Sequence, residues 1–216
     1  MGRGIMIIFL SFMLLGCSNT RMTSSEVSEE IKPKKYDTPA IEFLYPANLF
    51  PKPSANGNVI FCATSIDPDE NINNLTYNEL RDLIVINVVQ KHANRPINSE
   101  ELRKIGMEDI KELGRVEFID TKTLLQDNIP VLEFIVSNPQ TSLHMKQYFH
   151  ANEGEEYVIS ISTSRENWPY INSTIAMFEK SIKFKRSSQV SQTKNSLGLP
   201  RQYPGNFVFY YLTAIQ

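Results

Sequence analysis

Cysteine is scarce in this sequence, which has only two, Cys17 and Cys62, among 216 residues. No block of five like charges occurs, and the formal net charge is −2. This charge pattern gives no indication of a nucleic-acid-binding surface or of an acidic interaction tail. A chain of this length can bury a hydrophobic core without disulfides. These absences argue against a nucleic-acid-binding protein and against a fold that depends on disulfide staples.

Signature motifs of common active sites are missing as well. The sequence has no Gly-x-Ser-x-Gly, no His-Glu-x-x-His, no glycine-rich phosphate loop and no Cys-x-x-Cys. His144 and His150 fall on one predicted strand about 20 Å apart, too far to share a metal ion, and His92 lies at a predicted helix end. We expect all three histidines at the surface. The sequence therefore predicts no catalytic residue, metal ligand or cofactor, and the chain is not expected to be an enzyme.

The residue pattern of one acidic segment resembles the beginning of a calcium-binding loop. Oxygen-bearing side chains alternate from Asp67 to Asn73, as in the first half of such a loop. Ile72 then occupies the position that requires glycine, and Asn78 the position of the bidentate glutamate. We therefore expect a solvated turn here rather than a metal site. Four further carboxylates are expected to form a solvated rim rather than an acid–base pair: Asp109, Glu112, Glu117 and Asp120.

Residues 1–16 have the three parts of a secretory signal. Arg3 gives a short positive region, and the apolar stretch from Ile5 to Leu15 is too short for the roughly 20 residues of a membrane-spanning helix. The run Leu14-Leu15-Gly16-Cys17 resembles the lipobox of bacterial lipoproteins. The resemblance implies cleavage before Cys17 and lipid attachment to it, with two or more acyl chains giving a stable anchor. The alternative is a cysteine that merely ends an ordinary signal peptide.

Three further segments follow the leader. Residues 17–38 are predicted to be a tether that is anchored by the lipid on Cys17. The tether is expected to be flexible because the segment shows no hydrophobic periodicity. Its lysines Lys32, Lys34 and Lys35 either touch anionic headgroups or serve solubility. Residues 39–185 are the folded domain, and residues 186–216 form a polar linker with an aromatic end. Cys62, left without a partner by a lipidated Cys17, is expected to be a small buried hydrophobe.

The folded domain alternates strand-like and helix-like patterns. Helices are predicted over 76–91, 99–113 and 168–183, from apolar residues at spacings of three and four; their expected caps are Thr76, Ser99 and Asn167. Strands are predicted over 41–45, 58–64, 115–125, 129–137, 141–150 and 155–164, the last four joined by short turns. This order indicates an α+β domain with helices packed on a mostly antiparallel sheet.

Three passages of this domain resemble the PsbP-like superfamily, which includes the DcrB-like bacterial lipoproteins. Ile41 to Pro46 is similar to the family's opening strand, Glu155 to Ser162 to its last strand, and Phe178 to Phe184 to its final helix. The resemblance covers about residues 39–185 and implies a PsbP-like α/β/α sandwich. Members of this superfamily mostly bind other proteins, by different surfaces, so no functional residue is carried over. The extension after Lys185 departs from the pattern.

We therefore expect a lipoprotein of the bacterial cell envelope that binds an as yet unidentified envelope protein. Ser18 and Asn19 after the cysteine, by resemblance to enteric lipoproteins, favour the periplasmic face of the outer membrane. The alternative is a hydrolase or a small-ligand-binding protein on the same fold, and a third possibility is a structural envelope protein. Six aromatic residues could form a partner surface, although core packing is favoured: Tyr148, Tyr203, Phe207, Phe209, Tyr210 and Tyr211.

Overall fold

The computed structural model describes residues 32–52, 57–67, 76, 79, 81–112, 115–137, 139 and 141–185. The predicted leader with Cys17, most of the tether, most of the calcium-like segment and the C-terminal segment 186–216 lie outside the described residues. Within the described part, no helix is long and apolar enough to cross a membrane.

Seven strands form one antiparallel sheet in the order β3-β4-β5-β9-β8-β7-β6. They are β3 (Phe50–Pro51), β4 (Val59–Thr64), β5 (Val85–His92), β6 (Arg115–Asp120), β7 (Val131–Ser137), β8 (Ser142–Asn152) and β9 (Glu155–Ser164). The last four form the predicted meander. Its β8–β9 turn places Glu153 and Gly154 at φ values of 50° and 86°, a left-handed conformation suited to a tight hairpin.

A second, three-stranded sheet has the order β1-β2-β10. Its strands are β1 (Lys34–Asp37), β2 (Ile41–Tyr45) and β10 (Lys183–Phe184), all antiparallel. On β2, Ile41, Phe43 and Tyr45 are buried and alternate with half-buried neighbours, as expected for a strand with one face on a core. The folded domain thus begins earlier than predicted, because Tyr36 of β1 packs against that core.

The large sheet is covered on both faces. Helix α1 (Ser99–Lys111) packs on β6, β7 and β8. Its residues Leu102 and Ile110 belong to the same core cluster as Phe134 and Phe149 of the sheet. We call this side of the sheet the α1 face. The opposite side, the α2 face, is covered by the small sheet and by helix α2 (Asn172–Ser181). This layered arrangement confirms the predicted α+β class with helices packed on antiparallel sheets.

The prediction of a helix over residues 76–91 is wrong for the second half of that range, which forms a strand. Val85–His92 is the central strand β5, paired with β9 along its whole length and with β4 from Val85 to Val89. Val85, Ile86, Val88 and Val89 are all buried, because a strand covered on both faces carries apolar residues on both. Such a run also matches helical spacing, so periodicity alone could not separate the two.

Two predicted caps are also wrong. Asn98, and not Ser99, caps α1 by accepting a hydrogen bond from the backbone of Glu101 at 2.8 Å. The hydroxyl of Ser99 instead accepts from the backbone N–H of Ala151 at 3.0 Å, which ties α1 to the end of β8. Asn167 makes no side-chain cap, and a 3-10 turn, Trp168–Ile171, precedes α2.

Helix α2 ends before the predicted residue 183. Its last residue is Ser181, and Ile182 adopts an extended conformation with φ −64° and ψ 128°. The chain can therefore pair as β10 with β2, matching Lys183 to Glu42 and Phe184 to Ile41.

Candidate functional site

Five ionisable or polar side chains are joined on the α2 face, between the sheet and α2. We call them the ionic cluster: Glu133, His144, Lys146, Tyr148 and Glu179. His144, Lys146 and Tyr148 occupy alternate positions of β8, so their side chains point to the same face. Glu133 lies on the neighbouring strand β7, opposite Lys146, and Glu179 reaches down from α2.

The cluster is one continuous chain of contacts. Glu133 is 2.8 Å from His144 Nε2 through its Oε1 and 3.6 Å from Lys146 Nζ through its Oε2. Lys146 Nζ lies 2.8 Å from Glu179 Oε1, which also accepts a hydrogen bond from the Tyr148 hydroxyl at 3.1 Å. Each member therefore has a partner, as half-buried charges require.

The protonation of the cluster follows from these contacts. The hydrogen bond from His144 is the main reason why the pKa of Glu133 is below its usual value, with the charge of Lys146 adding to the effect. Burial raises the pKa of the Tyr148 phenol well above its ordinary value, and the negative charge of Glu179 raises it further. Glu133 is thus held as an anion and Tyr148 as a neutral phenol, a poor state for a nucleophile.

An aromatic turn covers the cluster at the His144 end. The Trp168 indole lies flat on the His144 imidazole, with ring centroids 3.7 Å apart and an interplanar angle of 10°. Trp168 packs on the core beneath, and Pro169 follows it at the start of the 3-10 turn. Tyr170, by contrast, projects outward and is 82% exposed.

Polar contacts from four other segments hold the residues just before this turn. Asn167 Nδ2 donates to Thr163 Oγ1 at 2.9 Å and to the backbone carbonyl of Asp82 at 3.3 Å. The backbone N–H of Arg165 donates to the carbonyl of Ser142 at 2.9 Å. Arg165 also lies 3.9 Å from Glu117 of β6. The residues before the turn are thus hydrogen-bonded to the sheet, while the Tyr170 side chain is exposed.

The prediction that all three histidines lie at the surface is wrong for His144 and His150. His92 is exposed, as expected, and lies 3.0 Å from Glu155. His144 is buried at 7% exposure, and His150 is half-buried with its ring 3.9 Å from that of Phe184. The reason is that even-numbered residues of β8 face α2 and the small sheet. The alternation His144-x-Lys146-x-Tyr148 could have indicated a shared face, but not that the face is covered.

The remaining predicted residues are placed as follows. Cys62 is half-buried and free, and burial raises the pKa of its thiol. Tyr148 is a core residue, as predicted, while the other five aromatic candidates lie outside the described residues. Among the described residues, no three His, Cys, Asp or Glu side chains are arranged to hold a metal ion.

Two of the four rim carboxylates are less exposed than predicted. Glu112 and Glu117 are exposed, whereas Asp109 and Asp120 are half-buried. Burial raises the pKa of Asp109. Asp120 accepts hydrogen bonds from the backbone N–H groups of Lys122 and Thr123, which lower its pKa. Asp120 therefore stabilises the turn after β6.

No protein-family model matches the sequence, and no curated protein sequence does either. Solved structures are similar at low identity. Cyanobacterial PsbP from Synechocystis sp. PCC 6803 is 16% identical, with 71% of this chain and 93% of that chain covered and a TM-score of 0.51. A single-residue mutant of the protein Mog1 is 14% identical, with 73% and 98% covered and a TM-score of 0.50.

A third structure is LpqN of Mycobacterium tuberculosis, a protein involved in cell envelope biogenesis. It is 11% identical, with 72% of this chain and 90% of that chain covered and a TM-score of 0.49. The DcrB-like subtype stays a prediction. The sheet order, the two covered faces and the likeness to cyanobacterial PsbP together show that this chain has the PsbP-like fold.

Proposed function

We propose that this protein is a lipoprotein of the bacterial cell envelope that binds a partner protein and is not an enzyme. In this proposal Cys17 carries the lipid and holds the domain at the periplasmic face of the outer membrane. The partner binds on the surface formed by the Trp168–Ile171 turn. The observation that carries the binding proposal is the side chain of Tyr170, which is 82% exposed. Its neighbours on the chain contact the sheet, since Trp168 stacks on His144 and Asn167 donates a hydrogen bond to Thr163.

An exposed aromatic residue on a turn that is held by neighbouring contacts is well suited to protein binding. Tyrosine, tryptophan and arginine dominate the binding energy of protein interfaces, and an aromatic side chain loses little conformational entropy on binding. Tyr170 has Trp168 and Arg165 within five residues along the chain, and Arg165 is exposed. Because the turn is already ordered, little of the binding energy is lost in ordering it.

Strand addition is a less suitable mode of binding for this sheet. The edge strand β6 carries the charged residues Arg115 and Glu117, and its register shifts between Phe118 and Asp120. The other edge, β3, has two residues, one of which is Pro51. Charges, bulges, short strands and proline all oppose edge pairing. A surface formed by side chains is therefore the better candidate.

The chemistry of the described residues favours binding over catalysis. The ionic cluster satisfies its own charges, and its one hydroxyl, that of Tyr148, has a raised pKa. The raised pKa of Cys62 likewise keeps that thiol protonated and weakly nucleophilic. Neither group is activated in the way that a catalytic nucleophile requires.

Mass spectrometry of the protein purified from membranes tests the anchor. We expect a mature chain that begins at Cys17 with a diacylglyceryl group and an acylated amine. The Cys17→Ala variant should keep its leader and carry no lipid. A wild-type chain without lipid on Cys17 would contradict the proposed anchoring.

Site-specific photocrosslinking in intact cells tests the binding surface. A photoreactive residue replaces Tyr170, and the matched control carries it at Ile105, an exposed apolar position of α1 on the opposite face of the sheet. We expect discrete crosslinked proteins from position 170 and none of these from position 105. Crosslinks at position 105 alone, or the same products at both positions, would show that this turn is not the binding surface.

A further inference from the structure

Two histidines on the same face of β8 contact the two ends of the α2 segment. The ring of His144 lies 3.7 Å from that of Trp168, which precedes α2. The ring of His150 lies 3.9 Å from that of Phe184, which follows α2. Both stacks are almost parallel, with interplanar angles of 10° and 12°. The other contacts of the two histidines differ, so a proton has different consequences at the two ends of the helix.

His144 has a carboxylate partner. Its Nε2 lies 2.8 Å from Glu133 Oε1, and the hydrogen bond between them is the main cause of the lowered pKa of that carboxyl group. Because an ionised carboxylate only accepts hydrogen bonds, the proton of the neutral imidazole lies on Nε2. A second proton, on Nδ1, leaves this bond in place and makes its donor positive. Hydrogen bonds between two charged groups are shorter and stronger than neutral ones.

The charged groups around His144 are mostly negative. Glu133 of β7 and Glu179 of α2 both contact Lys146 of β8. The pKa of Asp120 on β6 is lowered mainly by the backbone hydrogen bonds of its turn and also by the charge of Lys146. Three carboxylates against one lysine give a formal charge of −2 while His144 is neutral. The other groups on this side add no net charge: the neutral phenol of Tyr148, the hydroxyl of Thr163 opposite His144, and the ion pair of Arg165 with Glu117.

The indole of Trp168 also favours a charged imidazole. A cation over the face of an aromatic ring is attracted by the ring electrons, and tryptophan is the best partner for such contacts. The nearly parallel stack places the whole imidazole of His144 over the indole. Glu133 and Trp168 therefore both contact the protonated form of His144 more favourably than the neutral form.

We propose that the His144–Trp168 stack is a pH-sensitive clasp, which holds the Trp168–Ile171 turn more tightly when His144 gains a proton. The imidazolium then joins a carboxylate of the sheet to an indole of the turn. Histidine is the side chain whose ordinary titration falls between about pH 5 and about pH 8, so mild acidification is sufficient to tighten the clasp. A more ordered turn loses less entropy on binding, so binding of a partner at Tyr170 strengthens as the pH falls. This second step rests on the proposed function.

His150 responds in the opposite direction. Its rings in contact are those of Phe184 and Tyr157, and burial lowers its pKa. Acidification therefore weakens the Phe184 end of the α2 segment while it tightens the Trp168 end. A measurement of global stability would combine the two responses, so the clasp has to be tested by a local measurement.

Hydrogen exchange measured by NMR on the purified full chain gives that local measurement. The backbone amides of Arg165 and Tyr170 lie on the two sides of Trp168 in sequence and are both hydrogen-bonded. We expect their protection factors, corrected for the intrinsic pH dependence of exchange, to be about fivefold higher at about pH 5.5 than at about pH 7.5. The amide of Lys52, which donates to the Cys62 carbonyl near the opposite edge of the sheet, is the internal control and should not gain protection.

Two variants and a matched control make the test specific. His144→Gln keeps a side-chain donor for Glu133 but cannot titrate, so the protection of the turn should no longer depend on pH. Glu133→Gln keeps the imidazole and its stack but removes the carboxylate, and it should lose most of the response. The control His150→Gln changes the other stacked histidine of β8 and should keep the response. A wild-type turn whose protection does not rise on acidification, or a response that survives in His144→Gln, would overturn the proposal.

Photocrosslinking from position 170 in isolated membranes tests the consequence for binding. The yield of crosslinked partner should be severalfold higher at about pH 5.5 than at about pH 7.5, and Glu133→Gln should remove the difference. Equal yields at both pH values would overturn the proposed regulation and leave the binding surface in place. Absence of crosslinks at both pH values, with a turn that still responds to pH, would instead refute the proposed function and leave the clasp.

Discussion

The imidazole of His144 and the indole of Trp168 are stacked almost parallel, 3.7 Å apart, where the sheet meets the turn before α2. On its other side His144 contacts Glu133 through Nε2 at 2.8 Å. One side chain of β8 therefore links the ionic cluster to the turn that carries Tyr170. The stability of this link and the position of the proposed binding surface depend on the same residue.

Replacing His144 by alanine should destabilise the domain by about 1–3 kcal/mol, because it removes a buried stack and leaves the half-buried Glu133 without its main hydrogen-bond donor. Urea unfolding followed by circular dichroism measures the loss. The fluorescence of Trp168, the one tryptophan of the chain, should change at the same time. His92→Ala is the control, since His92 is exposed, and its stability should stay within about 0.5 kcal/mol of the wild type. An equal loss in both variants would contradict the assigned role of His144.

Gly106→Ala should destabilise the packing of α1 on the sheet. A Cβ atom at this position would lie 2.8 Å from Cε1 of Phe149, a fully buried ring that has little room to move. Overpacking of this kind costs about 1–3 kcal/mol, more than the gain of about 1 kcal/mol in helix propensity. Gly57→Ala is the matched control, because nothing lies within 4 Å of its added methyl group. Thermal unfolding of the two variants compares them, and a Gly106→Ala protein as stable as the control would disprove the close contact.

Acidification should destabilise the domain through His150. Burial lowers the pKa of His150 below its ordinary value, so the unfolded chain, with a pKa near about 6.5, binds more protons as the pH falls. Stability is therefore full above that pH and decreases as the pH falls through it toward the pKa of the folded state. Urea unfolding at about pH 7.5 and about pH 5 should show a smaller loss for His150→Gln, which cannot titrate. An unchanged pH dependence in the variant would exclude this contribution.

Two polar residues of the α1 face should respond in opposite ways to apolar replacement. Among the described residues, Asn87 Oδ1 is buried without a hydrogen-bond partner, whereas Gln147 donates to Ser160 at 3.1 Å in a buried contact. Asn87→Val should therefore leave stability unchanged or raise it by up to about 1 kcal/mol, while Gln147→Leu should cost about 1–3 kcal/mol by leaving Ser160 unpaired. Chemical denaturation of both variants in parallel gives the comparison. If Asn87→Val lost as much stability as Gln147→Leu, the predicted difference between the unpaired and the paired side chain would be refuted.

Strands in which buried and exposed residues alternate, or which are bounded by turn residues, could be predicted from sequence. Ile41–Tyr45 and Glu155–Ser164 have the predicted bounds, because one apolar face and flanking turns define such strands locally. Val85–His92 could not be recognised, since its two-sided burial depends on which strands lie beside it. The ionic cluster was missed for the same reason. Glu133, Lys146 and Glu179 come from β7, β8 and α2, and nothing in their spacing shows that they meet.

Local residue patterns were thus sufficient to indicate an α+β domain of PsbP-like type and most of its hairpins. Tertiary structure alone decided three further features. The order β1-β2-β10 places Lys35 and Lys183 on one surface. Coverage of the α2 face buries His144, and the two-sided burial of β5 turns a helical pattern into a strand. Side-chain periodicity is set by the local backbone, whereas burial and charge pairing depend on contacts between segments distant in sequence.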